Sequence, residues 1–403
     1  MATIHIDANQ IVKKKRKGRK GHSVDFSALS EIQGLLGNEP RRSDLLIEHL
    51  HKIQDRYHHL SDKHLTALAH EMNLSTAEVF EVASFYHHFD VVKTGENPPP
   101  PLTVRVCESV SCELAGAKNL LSTLQKTLGD NVRVQPVPCV GRCQEAPVTV
   151  VGQNPIATAT VEKTMAAIDT NQTNAPIANY INREQYEQEG GYQTLQSCLD
   201  GQRDPEHIIT VMENSGLRGL GGAGFPAGKK WRIVKGYRGP RMMAINIDEG
   251  EPGTFKDRHY LEKDPHRFLE GMLIAATIVD CAEIYIYLRD EYAGCRHILT
   301  QEIQNLKNNP PSSSHQLPDI QLRRGAGAYI CGEESAMIES IEGKRGMPRL
   351  RPPYLAEIGL FNRPTLEHNM ETVYWVRDII EKGPEWFSSH GRHDRKGLRS
   401  FSV

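Results

Sequence analysis

The chain has 403 residues, which is enough for two or three domains with sizeable cores. Its 48 basic and 50 acidic residues nearly cancel, so bulk charge indicates no partner. No run of about 18 uncharged apolar residues occurs, and the first ten residues lack the apolar core of a secretory signal. The composition therefore excludes a membrane-spanning segment and favours a cytoplasmic protein whose eight cysteines are reduced.

One short run carries a strong local excess of positive charge, KKKRKGRK at residues 13–20. Such a run can contact nucleic acid or a membrane surface, but no aromatic residues are interleaved with these charges. We therefore expect residues 1–24 to form a solvated, disordered tail, and we expect no nucleic-acid partner.

Helical periodicity dominates residues 25–93. The segments LLIEHLHKIQDRYHHL and DKHLTALAHEMNL repeat apolar residues every three or four positions, and Ser61 and Ser75 are plausible N-caps. The prolines of KTGENPPPP cannot continue a helix. The pattern predicts a small helical bundle that ends at this proline-rich segment.

Short strands alternate with helices after the prolines. LTVRVC, VRVQPVPC and PVTVVG are strand-like, whereas GAKNLLSTLQKTL and TVEKTMAAI are helical, which predicts a compact α/β unit over residues 102–170. The polar residues 171–200 are predicted to be a linker. A larger α/β region is expected to follow at residues 201–403.

Half of the cysteines fall within 37 residues, in two pairs: Cys107 and Cys112 form C-x4-C, and Cys139 and Cys143 form C-x3-C. Each pair is expected where a strand meets a loop. Four thiolates from two neighbouring loops suit a [2Fe–2S] cluster. Structural zinc is the main alternative, although its pairs are usually closer.

A glycine-rich segment, GLRGLGGAGFPAGKKW, contains G-x-G-x-x-G at Gly219, Gly221 and Gly224. A dinucleotide-binding fingerprint should follow a strand. The preceding segment, DPEHIITVMENSG, is instead predicted to be a helix, so we reject that interpretation. A cradle for a phosphate-bearing cofactor, with Lys230 nearby, and a purely structural loop both remain open.

Two acidic loops follow. AINIDEGEPGTFKDR leaves a predicted strand with Asn246, Asp248, Glu249 and Glu251, which could bind ribityl or ribose hydroxyls, hold Mg²⁺ or Ca²⁺, or form a solvated turn. The second loop, RRGAGAYICGEES, ends in acidic residues that could simply complement a helix dipole. Three such loops in one region favour a shared ligand.

Taken in order, these motifs resemble the complex I family. The bundle and cysteine pairs resemble the thioredoxin-like [2Fe–2S] subunit of bacterial complex I. Residues 202–403 resemble its flavoprotein subunit, with relatives in NAD-linked hydrogenases and formate dehydrogenases. The resemblance implies an α/β protein: a helical bundle and thioredoxin-like [2Fe–2S] domain, followed by an α/β FMN-binding domain that also takes NAD(H).

The resemblance also implies specific site residues. The metal ligands would be Cys107, Cys112, Cys139 and Cys143. Residues lining FMN would be Gly219, Gly221, Gly222, Lys230, Asn246, Asp248, Glu249, Tyr329, Gly332, Glu333, Asn369 and Thr372. Phe225, Glu251 and Glu334 would face the nicotinamide nucleotide, with Phe225 on its adenine side and Glu251 nearest the nicotinamide. Cys331 would pack beneath the site, and no residue is expected to act as a nucleophile.

Some positions depart from the family pattern. Leu220 stands where the motif usually has arginine, which removes a cation near the flavin or its phosphate. Arg351, Tyr354 and His368 are more similar to the diaphorase (beta) subunit of soluble NAD-dependent formate dehydrogenases. The implied function is hydride transfer between NAD(H) and FMN, and single-electron transfer to or from iron–sulfur clusters. The expected partner is a molybdenum-containing formate dehydrogenase subunit; complex I and NAD-linked hydrogenase are the alternatives.

The family continues with a ubiquitin-like domain and a domain that binds [4Fe–4S] through a C-x2-C-x2-C run. No cysteine follows Cys331. We therefore expect a truncated chain, and a second hypothesis is an assembly or interaction protein that no longer turns over.

Overall fold

The computed structural model describes residues 24–312, 316–393 and 395–402. The basic run at residues 13–20, predicted to be a disordered tail, lies outside these ranges. Within them, no helix is both long enough and apolar enough to cross a membrane.

The N-terminal part is the predicted helical bundle. Ser61 caps one helix by accepting from the N–H of His64, and Ser75 and Glu78 form a capping box on the next, as the sequence indicated. A short parallel pair of strands closes the unit. Its elements are α1 (Phe26–Leu36), α2 (Leu46–Tyr57), β1 (Leu60–Ser61), α3 (Asp62–Glu71), α4 (Thr76–Phe85) and β2 (Val91–Val92).

The cysteine-containing unit, here called the cysteine domain, is a four-stranded sheet with helices. Its elements are β3 (Leu102–Cys107), α5 (Val110–Leu114), α6 (Ala117–Thr127), β4 (Val132–Val137), β5 (Thr149–Val151), β6 (Asn154–Ile156) and α7 (Val161–Asp169). The strand order is β4-β3-β5-β6, in which β3 and β4 are parallel and the other pairs are antiparallel. Val104, Val106 and Leu124 lie in its core.

Residues 171–200 differ from the predicted linker. They include two helices, α8 (Arg183–Gln188) and α9 (Gln193–Leu199). Tyr186 and Leu195 are buried in the core of the C-terminal domain, and the buried carboxylate of Glu270 accepts from the Tyr186 hydroxyl at 2.6 Å. The few apolar residues of this polar stretch are therefore used for packing, which local composition did not reveal.

The remaining residues form the C-terminal domain around a four-stranded sheet. Its elements are α10 (Pro205–Asn214), α11 (Ala227–Gly236), β7 (Arg241–Ile247), α12 (Lys256–Lys263), α13 (Pro265–Val279), β8 (Cys281–Leu288), α14 (Ala293–Asn308), β9 (Asp319–Arg324), α15 (Glu334–Ile341), β10 (Thr365–Asn369), α16 (Met370–Tyr374), α17 (Val376–Lys382), α18 (Pro384–Ser388), β11 (Gly391–Arg392) and β12 (Arg395–Lys396). The main sheet has the order β10-β7-β8-β9, and all its neighbouring strands are parallel.

Both faces of this sheet are covered. Met243, Ile245 and Ile247 of β7 pack into the core that contains α13, whereas Met242 and Ala244 point into a second core shared with the helical bundle. Burial on both faces explains why the strand sequences MMAINI and IYIYL are almost continuously apolar. The bundle and α15, which contributes Met337 and Ile338, therefore cover this face together.

Strand order determines where a ligand can bind. The chain goes from β7 to β8 on one side and later returns to place β10 on the other side. Open parallel sheets bind ligands at such a switch point, beyond the carboxyl ends of the strands. Asn246 of β7 and Asn369 of β10 are paired in register at this edge. They are the first two predicted site residues that the fold brings together.

Candidate functional site

The glycine segment is a compact loop between two helices. It follows α10 and precedes α11, so the absence of a preceding strand, inferred from the sequence, is confirmed. The N–H of Gly219 donates to the carbonyl of Phe225 at 2.9 Å, which closes the loop. Gly222 and Gly224 have φ of 124° and 68°, a region that favours glycine. A Cβ on Gly221 would lie 3.0 Å from the Cβ of Asn369, so the loop passes close to the end of β10.

A cavity of about 860 Å³ opens between this loop and the carboxyl ends of β7 and β10, and we call it the switch-point cavity. Fourteen of the fifteen residues predicted to contact FMN or the nucleotide line it: Gly219, Gly221, Gly222, Phe225, Lys230, Asn246, Asp248, Glu249, Glu251, Tyr329, Gly332, Glu333, Glu334 and Asn369. Thr372 does not. It is 1% exposed, and its hydroxyl accepts the N–H of Leu220 at 2.9 Å, so it supports the glycine loop from behind.

Two carboxyl groups at the end of β7 are held in a poorly solvated position. Burial raises the pKa of Asp248 to about 7, and Oδ2 of this residue has no hydrogen-bond partner within the described ranges. Burial, reinforced by the nearby carboxylate of Asp257, raises the pKa of Glu249 to about 7. Glu249 is nevertheless bonded, since its carboxylate accepts from the N–H of Asp257 and from the Tyr292 hydroxyl at 2.9 Å. Asp248 is thus the carboxyl group in this pair that still needs a partner.

Lys230 extends from α11 into the cavity and is paired there. Its Nζ donates to a carboxylate oxygen and to the carbonyl oxygen of Glu367, each at 2.9 Å. Burial alone would lower the pKa of this lysine, but the Glu367 carboxylate outweighs it and the pKa is raised. Burial and the neighbouring Glu367 raise the pKa of Glu334. The lysine is therefore a cation fixed by Glu367, and its charge also interacts with Glu334.

The mouth of the cavity carries further acidic and aromatic groups. Tyr329 is 63% exposed and donates its hydroxyl to Glu251 at 2.6 Å. Glu333 caps α15 by accepting from the N–H groups of Ser335 and Ala336, so helix capping explains part of its role. Arg351 pairs with Glu333 and, at 3.0 Å, with Glu334. These pairs leave Glu251 more open to a ligand than Glu333.

Three positions that depart from the family pattern line the same cavity: Arg351 with its two ion pairs, Leu220 and His368. Leu220 lines it, with its side chain partly packed on the core. His368 is buried, and its Nε2 accepts from the indole N–H of Trp231 at 2.8 Å. Burial lowers the pKa of His368 well below its ordinary value, which keeps the ring neutral. His368 is therefore a packing and hydrogen-bonding residue rather than a cation.

Several lining residues were missed from the sequence. Lys256 and Asp257 follow the acidic loop in the run GTFKDR, and the amine of Lys256 is 2.6 Å from the Asp257 carboxylate. Their proximity to that loop was the signal that could have identified them. Ser400, Phe401 and Ser402 also line the cavity, and no local sequence feature indicates this, because they are distant in the chain from the other lining residues.

The four predicted metal-ligating cysteines converge in the cysteine domain. Cys107 is the last residue of β3, Cys112 lies in the short helix α5, and Cys139 and Cys143 follow β4, with their sulfurs 3.4 Å apart. All eight cysteines are free thiols. A donor set made only of thiols, contributed by two neighbouring loops, fits an iron–sulfur cluster. Cys112 is the exception to the prediction that these residues lie at strand ends.

The remaining cysteines lie apart from this group. Cys198, Cys281, Cys295 and Cys331 are buried in the C-terminal domain. Burial raises the pKa of Cys331 to about 12, which keeps its thiol protonated. A packed, unreactive role agrees with the sequence prediction for this residue.

The cysteine loop touches the acidic loop of the cavity directly. The N–H of Gly253 donates to the sulfur of Cys143 at 3.1 Å. The guanidinium of Arg289 donates to the carbonyls of Glu249 and Cys139, the latter at 2.6 Å. Since Glu249 and Gly253 both line the cavity, its wall and the cysteine loop share hydrogen bonds.

Comparison with known protein families matches both halves of the molecule. Residues 212–378 match the Nuo51 FMN-binding domain, and residues 32–172 match the thioredoxin-like [2Fe–2S] ferredoxin. The site and fold thus define an iron–sulfur flavoprotein subunit with a [2Fe–2S] domain and an FMN-binding domain.

Individual proteins of known family are similar to one or both of these domains. An NADH-quinone oxidoreductase subunit of Aquifex aeolicus is 46% identical over 226 residues, covering 55% of this chain and 52% of the relative. The alpha subunit of the NAD-reducing hydrogenase HoxS of Cupriavidus necator is 33% identical over 406 residues, covering 91% of this chain and 67% of the relative. The crystal structure of an NAD⁺-reducing [NiFe]-hydrogenase in the H2-reduced state superposes with a TM-score of 0.76 at 29% identity, covering 89% of this chain and 65% of that one.

The chain belongs to the complex I family of NADH-linked flavoprotein subunits, in the form in which the [2Fe–2S] and FMN-binding domains are fused. It spans about half the length of the Aquifex aeolicus relative and about two thirds of the hydrogenase alpha subunit.

Proposed function

We propose that the protein is a diaphorase module that passes hydride between NAD(H) and FMN and passes single electrons through a [2Fe–2S] cluster. The observation that carries this proposal is the convergence of fourteen predicted residues on one cavity, at the switch point of a parallel sheet. FMN, when bound, supplies the exchange between two-electron and one-electron chemistry.

The residues that line the switch-point cavity then have distinct roles in binding FMN and the nicotinamide nucleotide. The glycine loop offers backbone N–H groups at close range, and Lys230 supplies the positive charge for the phosphate of FMN. Asp248, whose Oδ2 has no bonded partner among the described residues, is suited to a hydroxyl of the ribityl chain. Glu251 and Phe225 stand at the open side, where the nicotinamide nucleotide would enter.

The cysteine domain would bind the [2Fe–2S] cluster. Cys107, Cys112, Cys139 and Cys143 would hold the cluster, and the N–H of Gly253 would donate to one of its thiolates. This donor belongs to the wall of the switch-point cavity, so direct contact of the two loops would hold the residues for the cluster beside the residues for the flavin.

Purified protein tests this function. After reconstitution with FMN, we expect a yellow chain that reduces ferricyanide with NADH, and whose flavin absorbance bleaches when NADH is added without oxygen. Glu251→Gln should slow the bleaching while FMN remains bound. A folded chain that keeps its cluster signal but does not bind FMN would contradict the proposal and favour an assembly or interaction role instead.

For the physiological partner, we propose a molybdenum-containing formate dehydrogenase subunit in the cytoplasm. Arg351, Tyr354 and His368 support it through their resemblance to the diaphorase subunit of that enzyme. A hydrogenase partner is the second candidate, because the hydrogenase alpha subunit matches 91% of the chain. Mixing the protein with each catalytic subunit separates the two: formate-dependent NAD⁺ reduction supports the first, and H2-dependent reduction alone supports the second.

A further inference from the structure

A buried guanidinium lies between the cysteine loop, residues 139–143, and the wall of the switch-point cavity. Arg289 follows β8, and its side chain is 5% exposed. Its Nη2 donates to the carbonyl oxygen of Cys139 at 2.6 Å, and its Nη1 donates to the carbonyl oxygen of Glu249. One side chain therefore holds the backbone of a predicted cluster ligand and the backbone of a predicted flavin-site residue at the same time.

Two neighbouring residues fix the position of this guanidinium. Nε of Arg289 is 3.1 Å from one carboxylate oxygen of Glu291, and Nη2 is 3.0 Å from the other. The ring of Tyr292 lies 5.1 Å from Cζ of Arg289, and the Tyr292 hydroxyl donates to the carboxylate of Glu249. A planar guanidinium can bind two carbonyls and a carboxylate in this way, whereas the ammonium group of a lysine is a compact point charge.

The positive charge of Arg289 is retained in the folded chain. Burial alone would lower the pKa of Arg289, but the Glu291 carboxylate outweighs it, and the pKa is raised well above its ordinary value. Glu291 offsets only part of this charge at the cysteine loop, because its side chain is 28% exposed and is screened by water. A neutral amide could donate to the same carbonyls without the cost of burying a charge, so hydrogen bonding alone does not account for an arginine here.

A second buried guanidinium reaches the same loop. Arg258 of α12 is 3% exposed, and its Nε donates to the carbonyl oxygen of Gly141 at 3.0 Å. Glu262, on the same helix, pairs with Arg258 at 2.6 Å. The C-terminal domain thus presents two guanidiniums to the cysteine loop. Arg289 differs in that its guanidinium also binds the wall of the switch-point cavity.

A positive charge beside an iron–sulfur site acts on the reduction potential of that site. Reduction adds one negative charge to a cluster that four thiolates already make anionic, so a nearby cation favours the reduced form. An opposite charge within about 4–6 Å shifts the equilibrium of an ionising group by about 1–3 powers of ten. The same electrostatics apply to the gain of an electron. Loss of the Arg289 charge should therefore make reduction less favourable by about tenfold.

We propose that Arg289 raises the reduction potential of the [2Fe–2S] site and so favours electron transfer from the flavin to the cysteine domain. This inference rests on the proposed function, because it requires both the cluster and FMN. Arg289 acts through the backbone of Cys139 and is a positioning residue. Its bond to the carbonyl of Glu249 makes the same charge part of the flavin-site wall.

Potentiometric titration followed by EPR tests the inference on the full chain that carries its cluster. In Arg289→Gln, reduction should be about tenfold less favourable, which for a one-electron couple is a fall of about 59 mV in midpoint potential. Arg289→Lys keeps the charge and should recover most of this loss. Glu291→Gln should shift the potential in the opposite direction, because the Arg289 charge then lacks its compensating carboxylate.

A matched control removes a carboxylate from the other end of the same strand. Glu283 belongs to β8 and lies about 17 Å along the strand from its end, which exceeds the Debye length of about 8 Å at physiological ionic strength. Glu283→Gln should therefore have the potential of the parent chain.

The two opposite shifts separate an electrostatic role from a structural one. Equal potentials in the parent, Arg289→Gln and Glu291→Gln would overturn the inference, and so would shifts of the same sign in both variants. If Arg289→Gln does not fold or loses its iron, an upward shift in Glu291→Gln still supports the inference, and an unchanged potential overturns it. A folded parent chain that binds no iron would instead overturn the proposed function, and this inference with it.

Discussion

The cysteine site takes its four side chains from residues 107–143, whereas the switch-point cavity takes its walls from residues between 219 and 402. The cysteine site uses one type of donor, and its parts are brought together by two neighbouring strands, β3 and β4. The cavity combines backbone groups, an amine, amides and carboxyl groups from loops that meet only when four parallel strands align. Because the cysteine site depends on four equivalent thiols, we expect the loss of one thiol to prevent cluster binding. In the cavity many different groups share the binding energy, so the loss of one group should only weaken binding. Substitutions at the two sites should expose this difference, and loss of one thiol should have the strongest consequence.

Replacing one thiol should abolish the cysteine site. In Cys139→Ser, we expect iron to fall from about two atoms per chain to nearly none, because a cluster requires all four thiolates. Iron analysis and EPR after dithionite reduction measure the loss. Cys198→Ser, which changes a buried cysteine in α9, is the matched control and should keep its iron. A normal cluster signal in Cys139→Ser would show that Cys139 is not a required ligand.

Removing the charge of Lys230 should weaken FMN binding without abolishing it. Lys230→Gln loses a charge-assisted hydrogen bond of about 1.5–3 kcal/mol, so we expect FMN to bind about 10- to 100-fold more weakly. Fluorescence titration of the flavin measures the change. Lys229→Gln alters the neighbouring, exposed lysine and should leave the Kd unchanged. If both variants bind FMN like the parent, Lys230 does not contact the phosphate.

The buried carboxyl group of Asp248 should make stability depend on pH. Its folded pKa of about 7 lies above its ordinary value of 3.8, so the folded state holds a proton that the unfolded state releases. Its contribution to stability is therefore complete below pH 4 and is lost as pH rises through 7. Asp248→Asn should gain stability relative to the parent between pH 5 and 8.

Urea unfolding of the flavin-free chain across this pH range checks the sign. Asp130→Asn, which alters an exposed aspartate of the cysteine domain, should follow the parent at every pH. A constant difference between Asp248→Asn and the parent would mean that this carboxyl group is ionised in the folded chain at all these pH values.

Restoring the family's arginine should have the smallest effect. Leu220→Arg adds a partly exposed cation to the rim of the cavity, and such pairs contribute about 0.2–1 kcal/mol, so we expect FMN to bind up to about fivefold more tightly. Retention of FMN through gel filtration compares the variants. Leu220→Gln supplies a polar side chain without charge and should not reproduce the gain. Unchanged retention in Leu220→Arg would count against the idea that a missing cation weakens binding.

The two sites also differ in how far they can be predicted from the sequence. The cysteine pairs were recognisable from spacing alone, because the ligands of one metal centre must be the same few residue types. Residue spacing left the role of the glycine loop open. The residues of the cavity were predicted only through the resemblance of the C-terminal domain to a known family. Thr372 was the exception, since its hydroxyl is used by the N–H of Leu220 and not by the cavity.

Local sequence patterns also failed to predict two other features of the C-terminal domain. Residues 171–200 were predicted to be a linker, because their apolar residues are sparse, yet Tyr186 and Leu195 are buried against α13 and its neighbours. The contribution of Ser400 and Phe401 to the cavity likewise has no local signal. Both features depend on contacts between segments that are distant in the chain. Secondary-structure propensity and hydrophobic periodicity describe only local sequence and do not predict such contacts.

Short-range spacing was enough to predict the α/β class, the helical bundle, the cysteine set and the helix that precedes the glycine loop. The remaining features follow from contacts between distant segments. The tertiary structure placed β7 between β8 and β10 and so brought Asn246 beside Asn369, and it joined the cysteine loop to the cavity wall through Arg289 and Gly253. Strand order and the packing between domains depend on which distant segments bury their apolar surfaces against one another. No single segment of the chain contains that information.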